Sequence, residues 1–216
     1  MSPRLRLVSA ACLVAAVPLL AGCMTGQRPS FDEESPTEVG TMTGDPAIDA
    51  VLTRMDAVGD AVFTAEYTGV LAFGGTTTPL RVTQSAPTRR SVTIGDVRYL
   101  TDPSGTQTCR VSTATCEQDI DTAAVSDTGF TAEFVTGDLA KRLRRDATSR
   151  VGETTNRTEQ LAGQDAICVD VPVSGGTKAY CVLANGVAAS YVGGDVTLTL
   201  DRYEPTPTEA WFSANG

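Results

Sequence analysis

The chain has 216 residues, with 17 Lys and Arg against 26 Asp and Glu for a net charge of −9, and it contains no histidine. An acidic balance of this kind argues against nucleic acid as a partner and against electrostatic adhesion to anionic lipid head groups. The missing histidine excludes Ser-His-Asp and Cys-His catalysis, histidine-ligated zinc and a histidine pH switch.

The first 22 residues have the layout of an export signal. Arg4 and Arg6 precede an apolar run from Leu7 to Leu20, and small residues mark a cut. The run is shorter than the roughly 20 residues a spanning helix needs, and Pro18 interrupts it. Leu20-Ala21-Gly22-Cys23 resembles the lipobox of bacterial lipoproteins, in which the cysteine is acylated and the peptide is cut before it. An ordinary secretory signal cut elsewhere is the alternative. The resemblance implies a mature chain that starts at Cys23 and is held by its lipid, with palmitate as a typical acyl group, on the extracytoplasmic face of the cell membrane. Loss of Arg4 and Arg6 takes the net charge from −9 to about −11. Acyl chains contribute about 0.8 kcal/mol per buried methylene, so the lipid rather than the protein surface is the expected anchor.

Residues 24–44 are polar, acidic and rich in Gly, Pro, Ser and Thr, which predicts a flexible tether. A domain is expected over residues 45–216. Asp45-Pro46 predicts a helix start, with Ile48, Val51, Leu52, Met55 and Val58 on one face. From Ala61 the period changes to two. Phe63, Ala65, Tyr67, Gly69, Leu71 and Phe73 share one face of a long strand, and Gly74-Gly75 turns the chain. Leu80/Val82, Val92/Ile94 and Val97/Tyr99 mark shorter strands of an antiparallel meander.

Residues 117–160 break that pattern. Phe130, Phe134, Leu139 and Leu143 suggest one or two short helices, and Lys141-Arg142-Leu143-Arg144-Arg145 is read as a solvated basic helix face, with a contact to an anion or a phospholipid head group as the alternative. Four more strands follow, through Ile167–Val173, Tyr180–Val182, Val187–Tyr191 and Val196–Leu200. The proline-broken tail ends on Trp211-Phe212, which predicts that it docks back onto the domain.

Six cysteines sort by position. Cys12 leaves with the signal and Cys23 carries the lipid, leaving Cys109/Cys116 and Cys168/Cys181 as two local disulfides in an exported chain. With Ser112-Thr113 at the tip, Cys109 faces Cys116 directly; Cys168 and Cys181 flank Ser174–Thr177 and are predicted as diagonal neighbours. Neither pair has CxxC spacing, and Asp119-Ile120-Asp121 lacks the oxygen-rich loop and glycine turn of a calcium site, so no metal is expected. There is no GxSxG, P-loop or dinucleotide fingerprint, and no cofactor or enzymatic activity is expected.

The order of elements implies an α+β fold, an antiparallel sheet whose apolar face is covered by the helices. With the lipobox, the Asp45–Asp60 helix, the Phe63–Phe73 strand, Asp138–Leu143, Leu161–Asp165 leading into Cys168–Val173, and Gly194–Tyr203, this order resembles the LolA-like lipoprotein carriers. It is closer to the actinobacterial envelope lipoproteins of the LppX/LprG kind. That resemblance implies a curved half-barrel of about nine to eleven strands, covered on its concave face by helices, with a hydrophobic cavity for a lipid or an acylated molecule. Its candidate walls are Phe63, Tyr67, Leu71, Phe73, Val82, Ile94, Tyr99, Phe134, Leu139, Leu143, Val171, Val182 and Leu198. The same residues would equally fill a packed core, in which case the domain is an interaction or sensing module with a protein partner.

Overall fold

The computed structural model describes residues 37–85 and 88–214. Helix α1 spans Pro46–Asp56 and continues into a 3-10 turn, Ala57–Asp60. Its start follows from local chemistry: Pro46 takes the first position, and the Asp45 carboxylate accepts from Ala47 N at 2.9 Å and Ile48 N at 3.3 Å. Ile48, Val51, Leu52 and Met55 form its buried face. Residues 37–44, part of the stretch read as tether, hydrogen-bond onto this helix: Gly40 N donates to Asp56 Oδ2 and Thr43 N to Asp49 Oδ1.

Six strands follow, β1 (Phe63–Leu71), β2 (Thr77–Gln84), β3 (Arg90–Ile94), β4 (Val97–Asp102), β5 (Gly105–Arg110) and β6 (Thr115–Gln118). Next come α2 (Val125–Thr128), a π-helical turn (Phe134–Asp138) and α3 (Leu139–Thr148). The chain returns through β7 (Thr155–Leu161), β8 (Gln164–Val173), β9 (Gly176–Leu183), β10 (Ala188–Val192) and β11 (Val196–Glu204). The eleven strands of the described residues make one antiparallel sheet in the order β6-β5-β4-β3-β2-β1-β11-β10-β9-β8-β7. The chain thus meanders outward to the β6 edge, crosses through the helices to the β7 edge and meanders back until β11 pairs with β1. Irregular pairing at Glu66/Tyr67 and between Ala188 and Ser190 adds the local bending that β-bulges bring to a sheet.

One buried cluster joins α1, Phe130, Phe134 and α3 to one face of the sheet. The opposite face carries Thr64, Arg81, Thr83 and Arg98 and is where the C-terminal segment docks. Thr208 N donates to Thr83 Oγ1 at 2.9 Å, the Arg81 guanidinium lies 5.5 Å from the Trp211 ring, and Arg89 lies 3.9 Å from Phe212.

Three expectations need correction. Strand β7 lies inside the stretch where the apolar pattern breaks: its sequence TNRTEQL has almost no apolar alternation, because it is an edge strand and one side of it meets solvent. Cys168 and Cys181 are directly opposed, since Val173 pairs with Gly176 and the turn is only Ser174-Gly175. The basic run is not uniformly solvated either. Arg144 is 1% exposed, ion-paired to Asp56, and donates to Thr41 O at 2.9 Å.

Candidate functional site

The first turns of α1 stand beside β7 and β8, leaving a cleft of about 430 Å³ lined by Pro46, Ala47, Ala50, Val51, Ile167 and Cys168 on its apolar walls. Its origin is legible in α1. Ala47 and Ala50 lie at helical spacing beside the core stripe to which Val51 belongs, and their small side chains leave space next to the sheet. Asn156, Arg157 and Thr158 of β7 supply the polar side. Arg157 is held in place by Glu159 and Asp170, and those hydrogen bonds raise its pKa further above the already basic guanidinium value.

The cleft is tied at the N-terminus of α1. Thr154, just before β7, donates to Asp45 Oδ2 at 2.7 Å, and Arg150 pairs with the same carboxylate. Burial alone would raise the Asp45 pKa, but the hydrogen bonds from Thr154, Ile48 and Ala47 and the Arg150 charge hold it below the ordinary value. Beneath the cleft, Cys168–Cys181 joins β8 to β9, while Cys109–Cys116 closes the β5–β6 hairpin with its cysteines directly opposed, as the spacing implied. Glu159 lies beside Cys168 and Cys181, but those sulfurs are bonded to each other and present no thiolate ligands.

The residues expected to wall a cavity gather on the sheet face that meets the helices. Phe63, Tyr67, Val82, Ile94, Tyr99, Phe134, Leu139, Leu143, Val171, Val182 and Leu198 belong to the buried cluster, and Leu71 packs on its margin. Phe73 does not join them. β1 ends at Leu71, so Phe73 falls in the turn to β2, where strand alternation no longer sets its direction, and it is 97% exposed. Cys23 lies outside the described residues.

Phe130 closes the middle of the cluster. It packs edge-on to Phe134, with ring centroids 5.0 Å apart, and sits over Gly69, where an added Cβ would lie 2.5 Å from Phe130 Cζ. Tyr191 continues the aromatic row, 6.4 Å from Phe134 and 4.8 Å from Tyr180. Tyr180 donates to Asp146, which also accepts from Lys178 Nζ at 2.6 Å. Burial, with the neighbouring Tyr191 and Asp146, pushes the Tyr180 hydroxyl pKa far upward, so it remains a donor. Neither Phe130 nor the alanine face of α1 stands out as a site in the sequence. The spacing of Ala47 and Ala50 is the available signal for the second.

No family model matches the sequence, and no curated protein matches it. Solved structures match the fold. The crystal structure of MucB aligns over 80% of this chain and 64% of its own, at 11% identity and a TM-score of 0.53. MucB in the Pseudomonas aeruginosa MucA/MucB complex aligns over 77% of this chain and 60% of its own, at 12% identity and a TM-score of 0.49. A DUF1329 family protein from Desulfovibrio piger covers 78% of this chain at 11% identity with a TM-score of 0.31. The class defined by the fold is therefore α+β, one open antiparallel sheet with helices, and it is shared with MucB. The chain spans less than two thirds of the length of MucB.

Proposed function

We propose that the protein is an extracytoplasmic lipoprotein, anchored through acylated Cys23, whose sheet domain binds a lipid or another acylated molecule in the cleft between α1 and the β7–β8 edge. The observation that carries this reading is the lining of that cleft. An apolar wall of Ala47, Ala50, Val51 and Ile167 faces a polar side of Asn156, Arg157 and Thr158, which suits one apolar chain with a polar group at its end. Its volume of about 430 Å³ falls within the roughly 300–1,000 Å³ usual for small-molecule sites. The lining includes no serine, lysine or carboxylate, so a binding role suits it better than acid–base or nucleophilic chemistry.

The experiment is native purification followed by solvent extraction and lipid mass spectrometry, repeated with Ala50→Trp to fill the cleft. Recovery of an acylated species from the parent protein and its loss from Ala50→Trp is the expected result. Recovery of nothing from either protein sinks the carrier reading.

A second reading has its own support. Phe130 fills the centre of the domain against Gly69, as it would in an interaction or sensing module with a closed core and a protein partner. MucB, which shares the fold, is known in complex with MucA. Empty extracts together with a partner recovered by in-cell crosslinking would favour this second reading.

A further inference from the structure

The end of the domain where β1 turns to β2 and β10 turns to β11 has features that the acyl-binding cleft leaves unused. Phe73, almost wholly exposed, stands in the first turn. Ala72 N donates to Asp195 O at 2.9 Å, and the Asp195 carboxylate accepts from Arg142 Nη1 at 2.7 Å, so this turn is stitched to α3. Leu71, at the end of β1, packs against Gly129, and Gly129 lines a cleft of about 340 Å³ with Lys141, Arg142 and Arg145. A second cleft of about 430 Å³ is lined by Arg142, Arg145 and Lys178 together with Asp146 and Asp195.

Lys141, Arg142 and Arg145 fall on adjacent turns of one helix face. Asp138, Asp195 and Asp146 pair with Lys141, Arg142 and Lys178 respectively, while Arg145 has no carboxylate partner among the described residues. The path of the chain adds an independent observation. Thr37, the first described residue, lines the same 340 Å³ cleft. It is 14 positions from Cys23, a separation that reaches at most roughly 50 Å even when fully extended.

We propose that this end is a membrane-docking surface, at which Phe73 enters the interface of an anionic phospholipid bilayer while the exposed Lys141 and Arg145 meet the lipid phosphates. A lone exposed aromatic residue is ordinary on a protein surface. Here it shares one end of the domain with a cationic helix face and with Thr37, where the described residues begin. Aromatic rings favour the bilayer interface, and cations near an anionic surface each strengthen binding by about fivefold. Within the face, Lys141, Arg142, Arg145 and Lys178 outnumber Asp138, Asp146 and Asp195, which leaves a small local excess of positive charge centred on Arg145, and acidic groups elsewhere on the domain are screened beyond roughly 8–10 Å at physiological salt. The orientation argument rests on the Cys23 anchor; the Phe73 and basic-face contacts do not.

The test uses the full chain carrying Phe73→Trp in a Trp211→Phe background, so that one indole reports on the turn. It is mixed with vesicles of phosphatidylcholine alone or with added phosphatidylglycerol. On the phosphatidylglycerol vesicles the emission shifts to the blue, brominated acyl chains quench it, and high salt reverses both effects for the unacylated chain. Phe73→Ala weakens partition of the unacylated chain by about tenfold, and Lys141→Glu/Arg145→Glu by at least about 25-fold. Both changes are at exposed positions, so circular dichroism should be unaltered. Water-like, unquenched emission on phosphatidylglycerol vesicles overturns the proposal, as does partition that Lys141→Glu/Arg145→Glu leaves unchanged. The mass of the N-terminal peptide reports acylation separately. An unacylated chain that still partitions keeps the docking face and loses the anchor, whereas an acylated chain whose reporter indole stays in water does the reverse.

Discussion

The contact between Phe130 and Gly69 decides whether the middle of the domain is a fixed core or a space that a ligand can open. Phe130 is 1% exposed and edge-on to Phe134. Phe130→Ala removes a buried ring, a loss of about 3–5 kcal/mol, of which the ring pair accounts for roughly 0.5–1.5. At roughly 2–4 °C per kcal/mol for a domain of this size, the midpoint falls by roughly 6–20 °C. Gly69→Ala acts on the same contact from the other side. Its new Cβ would lie 2.5 Å from Phe130 Cζ and 2.8 Å from Leu80 Cδ1, an overpacking expected to cost about 1–3 kcal/mol. With Phe130 already truncated, the nearer clash is gone, so the double variant should be more stable than the sum of the singles predicts, by about 1 kcal/mol. Denaturant unfolding of the four proteins gives the cycle. A loss below about 1 kcal/mol for Phe130→Ala, or strict additivity, would refute the reasoning and mark Phe130 as a movable plug.

Two further outcomes follow from buried charge. Asp56→Ala strands the Arg144 guanidinium in the interior and should lower stability by about 3–5 kcal/mol, while Asp56→Leu/Arg144→Met recovers most of that loss; equilibrium unfolding of both variants, with amide exchange at Gly40, checks it. The Asp45 carboxyl has a folded pKa below its ordinary value of 3.8, so its stabilising contribution is present above that value and is lost as pH falls through the lower folded pKa. Asp45→Ala should therefore be less stable by about 1 kcal/mol at neutral pH, through loss of the α1 cap, and the gap to the parent should close in acid; unfolding midpoints measured against pH would contradict this if the gap stayed constant.

What sequence reveals here tracks how strongly each element depends on burial. α1 and β1 are legible because the Asp45-Pro46 cap and the Phe63-Ala65-Tyr67 alternation are local statements about one buried face. β7 is hidden because an edge strand needs no apolar alternation, and TNRTEQL has only Leu161 to offer the core. Arg144 is hidden for a different reason. Within KRLRR nothing local distinguishes a buried arginine from a solvated one; only Asp56 and Thr41, brought up from α1 and the segment before it, make the difference. The Phe73 expectation fails at a boundary, since period two holds only while the strand lasts. The cleft beside α1 depends on side chains that are too small to fill space, and patterns of apolar residues record what packs rather than what is left open.

Net charge is the other quantity that needs a map rather than a total. A value of −9 argues against adhesion to anionic lipids only if the charge is spread evenly, because a surface beyond one screening length contributes little at the point of contact. The fold instead stacks Lys141, Arg142 and Arg145 on one side of α3, burying Arg144 on the other side against Asp56. A run of like charges, which would otherwise repel, is thus divided between an interior ion pair that fixes α3 to α1 and an exterior face on which Asp138 and Asp195 pair with Lys141 and Arg142 and Arg145 has no carboxylate partner among the described residues. The same division places the exposed cations at the end where Phe73 and Thr37 also emerge. An anchor at Cys23 would confine the domain near the bilayer without orienting it; a weak cationic and aromatic face is what turns confinement into orientation, and orientation decides whether the cleft between α1 and β7 opens toward the membrane or away from it.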